Sequence, residues 1–141
     1  MTSQFYVYLN SKDSMDLYPS NNNTSFTVKL PRYVSLAREH WQVGLVEIKH
    51  PTIYKTVVMN VLCDLCEGSI AGGEYLPLLR QVHAHQDQVF YSANQQSFNP
   101  ILYKTIIPSG FQHITITIKA AKGTGDLSFN ELPFYCALHF K

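Results

Sequence analysis

Isoleucine recurs at every second position through residues 112–119. Ile114, Ile116 and Ile118 fall to one side, and His113, Thr115, Thr117 and Lys119 to the other. Successive side chains of a strand point to opposite faces, so this pattern predicts a β-strand with one dry and one wet side. The same two-residue period recurs near the start, where Phe5, Val7 and Leu9 alternate with Tyr6 and Tyr8. It returns where Phe26, Val28 and Leu30 alternate with Thr27 and Lys29, and Pro31 is expected to stop that strand. Residues 41–48 are apolar on both faces around Gly44, which predicts a central, covered strand ended by Pro51. Residues 57–66 form a long fourth candidate. Residues 75–83 form a fifth, broken by Pro77, which suggests an edge or a bulge. Residues 89–91 and 101–107 flank an apparent polar loop, 92–100, and residues 134–140 close the series.

Between these runs lie turn formers. They are Pro19 with Asn21, Asn22 and Asn23; Gly68, Gly72 and Gly73; Pro108 to Gly110; and a tight turn over 122–126. Residues 35–40 could make one helical turn with Ser35 as its cap, and no stretch predicts a helix beyond about two turns. About eight antiparallel strands in 141 residues predict an all-β sandwich, with residues 1–141 as one domain. Its expected core contains Phe26, Val28, Trp41, Val43, Leu45, Ile114, Ile116, Ile118, Leu138 and Phe140.

Composition adds one point. Only 15% of the residues are charged, against roughly 25% in ordinary soluble domains, and 17 are Tyr or Phe. A β-sandwich core absorbs part of that aromatic content. The rest predicts apolar surface covered by other subunits. A net charge of +1 gives no electrostatic case for nucleic acid. No apolar run reaches the roughly 18 residues of a membrane span. The start, Met1-Thr-Ser-Gln, lacks the basic and apolar stretches of a signal peptide, so synthesis inside the cell without export is expected. Three cysteines, an odd number, are then expected to be reduced thiols.

The candidate chemical sites are incomplete. Cys63-x-x-Cys66 has no second pair to complete a metal ribbon and no helix start for redox chemistry. On a continuous strand its two thiols would point to opposite faces, as core groups. His83-x-His85 would share a face, but no carboxylate follows to complete a ligand set. Glu47 is a carboxylate on a central strand, with Arg80, Lys49 or a backbone N–H as expected partners. Gly123-x-Gly125 lacks the strand–helix context of a phosphate loop. No nucleophile-and-base set is present in the pattern. The chain therefore reads as no enzyme, with no catalytic residue, no cofactor and no metal.

Several segments together resemble a known family in a fixed order. Tyr18-Pro19 with Asn21 and Asn22 precedes the run from Phe26 to Pro31. Trp41-Gln-Val-Gly-Leu-Val-Glu-Ile48 and Pro51 follow, then Cys63-Asp64 and Pro77-Leu-Leu-Arg80, then Gly125, Phe129 and the terminal Leu138-His-Phe-Lys141. This series resembles the small capsid proteins of Polinton (Maverick) elements and the related adintoviruses, with departures at Gln42 and Lys141. The resemblance implies a single jelly-roll domain, a structural role in a virion capsid, and a penton subunit at five-fold vertices. It also implies partners: the chain itself, as a homopentamer first and a trimer second, and the major capsid protein of the same element. The alternative class is a soluble oligomeric jelly roll that binds a ligand or receptor.

Overall fold

A computed structural model describes residues 4–36, 40–53, 57–84, 93–122, 127, 129 and 132–141. The described residues form eleven strands and no helix. In chain order these are β1 (Phe5–Asn10), β2 (Ser25–Ser35), β3 (Gln42–Pro51), β4 (Val57–Cys63), β5 (Ser69–Ala71), β6 (Glu74–Leu76), β7 (Leu78–Ala84), β8 (Ala93–Ser97), β9 (Tyr103–Thr105), β10 (Gly110–Ala120) and β11 (Tyr135–Phe140). One sheet has the order β1-β11-β3-β8, with β9 also on β3. The second has the order β2-β10-β4-β7, and β5 and β6 form a separate hairpin. All pairings are antiparallel.

β8 pairs with β3 from Pro51 to Glu47, and β9 pairs with it from Gly44 to Gln42. The two are therefore one interrupted strand. Counted this way, eight strands divide evenly between two facing sheets, and the chain crosses repeatedly from one to the other. This is the jelly-roll arrangement. Alternation drives it. In β10, Phe111, Ile114, Ile116 and Ile118 are buried, while His113 and Lys119 are exposed. β3 is central, as its two-sided apolar pattern predicts. Gly44 is required there, because a Cβ would collide with the Ile101 side chain and approach Leu102 O to 3.1 Å. Gly72 turns the β5–β6 hairpin at φ +62°, a conformation that costs glycine little.

The expected core residues Phe26, Val28, Val43, Leu45, Ile114, Ile116, Ile118, Leu138 and Phe140 all lie in the buried cluster between the sheets. Trp41 is only half-buried. It packs on the rim of that cluster, 5.6 Å from the Phe5 ring.

Three local expectations are corrected. Pro31 does not stop β2, which runs on to Ser35. As an edge strand it tolerates a residue without an N–H, and the register with β10 shifts there, the β2 residues 30–33 around Pro31 lying opposite Gln112 alone. The 57–66 strand ends at Cys63, where a turn closes with Cys66 N–H donating to Cys63 O at 3.1 Å. The break expected at Pro77 is present: it divides the 75–83 segment between the hairpin and β7, which is a sheet edge. The polar segment 92–100 contains β8, while only Tyr103–Thr105 of 101–107 is strand. The helical turn expected at 35–40, the strand at 89–91 and the tight turn at 122–126 fall wholly or partly outside the described residues.

Candidate assembly surface

The aromatic content divides by residue type. Among the described residues no Phe is exposed, whereas Tyr6, Tyr8, Tyr33, Tyr75 and Tyr135 are. A tyrosine can present an apolar ring to a partner while its hydroxyl remains compatible with water, which suits an interface. These rings fall into two regions.

The first is the outer face of the five-stranded sheet. The β1–β11 register places Tyr6 opposite His139 and Tyr8 opposite Ala137. Tyr6 stacks on the His139 ring at 4.5 Å, and Tyr8 lies 6.4 Å from Tyr6. His139 is nearly buried. Its Nε2 faces Gln4 Oε1 at 2.8 Å, and its Nδ1 faces the Tyr103 hydroxyl at 2.7 Å. A glutamine oxygen can only accept, so Nε2 carries the proton and Nδ1 accepts from Tyr103. Lys141 Nζ caps the row, 3.9 Å from the Tyr103 ring centre. Beside the row is a groove of about 450 Å³ lined by Tyr8, Asn10, Asp13, Glu47, Lys49 and Tyr135. In it Gln95 Nε2 donates to Glu47 Oε2 at 3.3 Å, and Lys49 Nζ lies 5.9 Å from the Tyr135 ring. Arg80 is not the partner expected for Glu47. Its guanidinium stacks on Phe98 at 4.3 Å and donates to Pro100 O.

Burial, and then the Lys141 ammonium, hold His139 below the usual imidazole range. The unfolded chain, with its histidine near 6.5, therefore binds the proton more readily than the folded one. The contribution of this residue is intact above about pH 6.5 and is lost as the pH falls below it. Melting temperatures measured from pH 7.5 to 5 should drop further for the wild type than for His139→Gln. Parallel curves would show that the site does not titrate with folding.

The second region is one end of the sandwich. Ile70 and Tyr75 face each other across the β5–β6 hairpin and are 80% and 74% exposed. Ile107 and Tyr33 are also exposed. Ile107 N–H donates to Leu65 O, and Leu36 N–H donates to Ser109 O, so these segments are tied together. The outer face of the four-stranded sheet contrasts with both regions. It carries a Thr27–Thr115 hydroxyl pair at 2.8 Å and Ser25 opposite Thr117, and its Lys119 reaches Glu74 of the β5–β6 hairpin at 3.9 Å.

The other sequence candidates stay apart from these surfaces. Cys63 and Cys66 do not lie on opposite faces of one strand. They are buried across a turn, and hydrogen bonding to Cys66, together with burial, raises the Cys63 thiol well above its usual range. Burial pushes Cys136 up to about 12. Such thiols are unreactive. A thiol reagent at pH 8 should label none of the three in the native protein and all three in denaturant; rapid native labelling would contradict the burial. His83 is exposed, and its partner His85 and the Gly123-x-Gly125 turn lie outside the described residues. Among the described residues no three His, Cys, Asp or Glu side chains gather as metal ligands, and no helix is long and apolar enough to cross a membrane.

Asn21 and Asn22 gain roles beyond turn formation. Asn21 Oδ1 accepts from Thr27 N–H at 3.0 Å, and its Nδ2 donates to Thr27 O at 2.8 Å. Asn22 Oδ1 accepts from the N–H groups of Thr24 and Ser25. Both asparagines hold the β1–β2 loop against the start of β2. Clustered Asn beside a strand was the available sequence signal.

These sheets define a jelly-roll protein with two aromatic surfaces. Its fold is similar to that of the mavirus penton protein, known from a crystal structure of the selenomethionine-labelled protein. The two match with a TM-score of 0.63 over 99% of each chain at 6% sequence identity. No family model matches the chain, and no curated protein matches it by sequence.

Proposed function

We propose that this chain is a structural capsid subunit, a penton that forms a five-membered ring at the icosahedral vertices of a Polinton- or adintovirus-like particle. The observation that carries this reading is the end-to-end likeness to the mavirus penton protein, which leaves almost none of either chain unmatched. The exposed Tyr and Ile side chains on two surfaces support it, because a solitary subunit would leave them wet. In this reading the subunit works by burying surface. Each ring contact is head-to-tail, so one flank of a subunit meets the opposite flank of the next. A biological contact should bury on the order of 1,000 Å² or more. The major capsid protein of the same element is the second partner, and no catalytic step, cofactor or metal enters the mechanism.

The test is co-expression with the matching major capsid protein, combined with light scattering of the isolated chain over a concentration series. Five-fold rings, or incorporation into particles at the vertices, are expected. A chain that stays monomeric at every concentration and is absent from particles would remove the penton reading, leaving a ligand- or receptor-binding jelly roll as the better account.

A further inference from the structure

Two sheets have four lateral edges, and three of them carry features that discourage pairing. On β2, Asn21 takes both the N–H and the carbonyl of Thr27, and Ser14 Oγ accepts from Lys29 N–H at 3.0 Å. Pro31 has no N–H to offer. On β7, Gln96 Nε2 donates to His83 O at 3.2 Å, and Arg80 and His83 add polar side chains. The β8–β9 edge is interrupted between Ser97 and Tyr103. These are the usual ways in which a sheet avoids edge-to-edge pairing.

The β1 edge has none of them. Its sequence, F-Y-V-Y-L-N, contains no charge and no proline. Ser11 N–H donates to Phe134 O, which fixes the hydrogen-bonding phase with β11. Odd-numbered residues of β1 therefore bond to β11, and the N–H and C=O groups of Tyr6, Tyr8 and Asn10 turn outward. Those of Asn10 are used within its own turn, by Asp13 Oδ2 and Asp13 N–H. Among the described residues nothing caps the main chain of Tyr6 or Tyr8. The same two side chains are 52% and 71% exposed on the adjoining face.

We propose that this edge pairs with the β1 edge of a second copy, antiparallel, about a two-fold axis through Val7. The occupant follows from complementarity. The other edges are capped, polar or short, so β1 is the edge best suited to pair, and its own antiparallel register supplies the match. That register sets Tyr6 opposite Tyr8 of the second copy, and Tyr8 opposite its Tyr6. Each of these two pairs exchanges two N–H···O bonds, which satisfies every open group on both edges. It also makes two cross-strand tyrosine pairs, an arrangement that stabilises sheets. Four rings that are partly buried already and would be only partly covered, with two strand edges, give a contact smaller than a standard specific interface. The contact is therefore concentration-dependent. It is two-fold and independent of the five-membered ring proposed above.

The test uses two single variants of the full chain, Tyr6→Cys and Tyr8→Cys. Positions 6 and 8 of opposing copies would have Cα atoms about 5.5 Å apart, a separation that a disulfide accepts. On mild oxidation with diamide, a mixture of the two variants should form the 6–8 cross-linked dimer several-fold faster than either variant alone. Sedimentation of Tyr8→Lys, with its far-UV circular dichroism unchanged, should show two-fold association weakened at least about tenfold, or some 1.4 kcal/mol. A mixture no faster than the single variants, or undiminished association of Tyr8→Lys, would overturn the proposal. So would protection of the Tyr6 and Tyr8 amides from hydrogen exchange only inside particles, which would assign the edge to another capsid chain. Cross-linking at 6–8 without five-membered rings would uphold this contact and remove the penton reading instead.

Discussion

Replacing Phe140 with alanine is expected to cost about 3–5 kcal/mol of unfolding free energy, the range for a fully buried aromatic ring. Phe140 ends β11 with no exposed surface. On one side its ring stacks on Phe5 of the neighbouring strand at 4.8 Å, nearly parallel at 6°. On the other it meets Phe111 of β10 at 5.4 Å. β10 belongs to the opposite sheet, so this single ring joins the two layers. Its removal leaves a cavity between sheets whose spacing is set along their whole length by other contacts, and collapse cannot refill it. A typical domain has only about 5–15 kcal/mol of stability, so the loss is a large share of the total. Urea unfolding measures it directly. A change below about 1 kcal/mol would mean that the sheets do not meet through Phe140.

The elements that were legible in the sequence are those whose burial is one-sided. β10 and β1 alternate cleanly, and β3 could be read as central because both of its faces are apolar. β8 was hidden for the opposite reason. Ala-Asn-Gln-Gln-Ser has no apolar alternation, and its strand character comes from main-chain pairing with residues 47–51 of β3. Local propensity cannot report a partner so distant in sequence, such as Glu47 opposite Ser97. Pro31 and Cys66 misled in complementary ways. Proline breaks a ladder only where its N–H is needed, and an outer edge does not need it. The apolar run through Cys66 continued past the strand because the turn that ends it is itself buried.

The surface was only partly legible. Low charge and many aromatic residues predicted apolar flanks, but composition cannot say where they lie. Tyr6 and Tyr8 are assigned to the wet side of β1 by their spacing alone. That they adjoin His139, Tyr103 and the groove at Tyr135 depends on β11 lying beside β1, a contact across more than 120 residues. The exposed Ile70 and Tyr75 pair depends on a hairpin of two three-residue strands that glycine content suggested only as a turn. The asparagine cluster before β2 signalled a turn, but not that Asn21 would cap the strand edge, because an asparagine there serves a turn and an edge with the same atoms.

Ile116→Ala should cost roughly 2–5 kcal/mol, and the neighbouring Thr115→Ala less than about 1. The two residues share a strand and differ only in the face they occupy. Ile116 is opposite Phe26 of β2 and Cys63 of β4, with no exposed surface, so the missing atoms would leave a void in the middle of the second sheet. Thr115 loses one hydroxyl bond to Thr27 at 2.8 Å on the opposite face. Its N–H still donates to Asp64 Oδ1 in the alanine variant, because that bond belongs to the backbone. Ile116→Val provides the graded case, at about 0.5–1.5 kcal/mol. Urea midpoints should then fall in the order Thr115→Ala, Ile116→Val, Ile116→Ala, with slopes unchanged. Equal losses at 115 and 116 would place both faces of β10 in the same environment, and the division between the buried interior and the outer threonine face would fail with it.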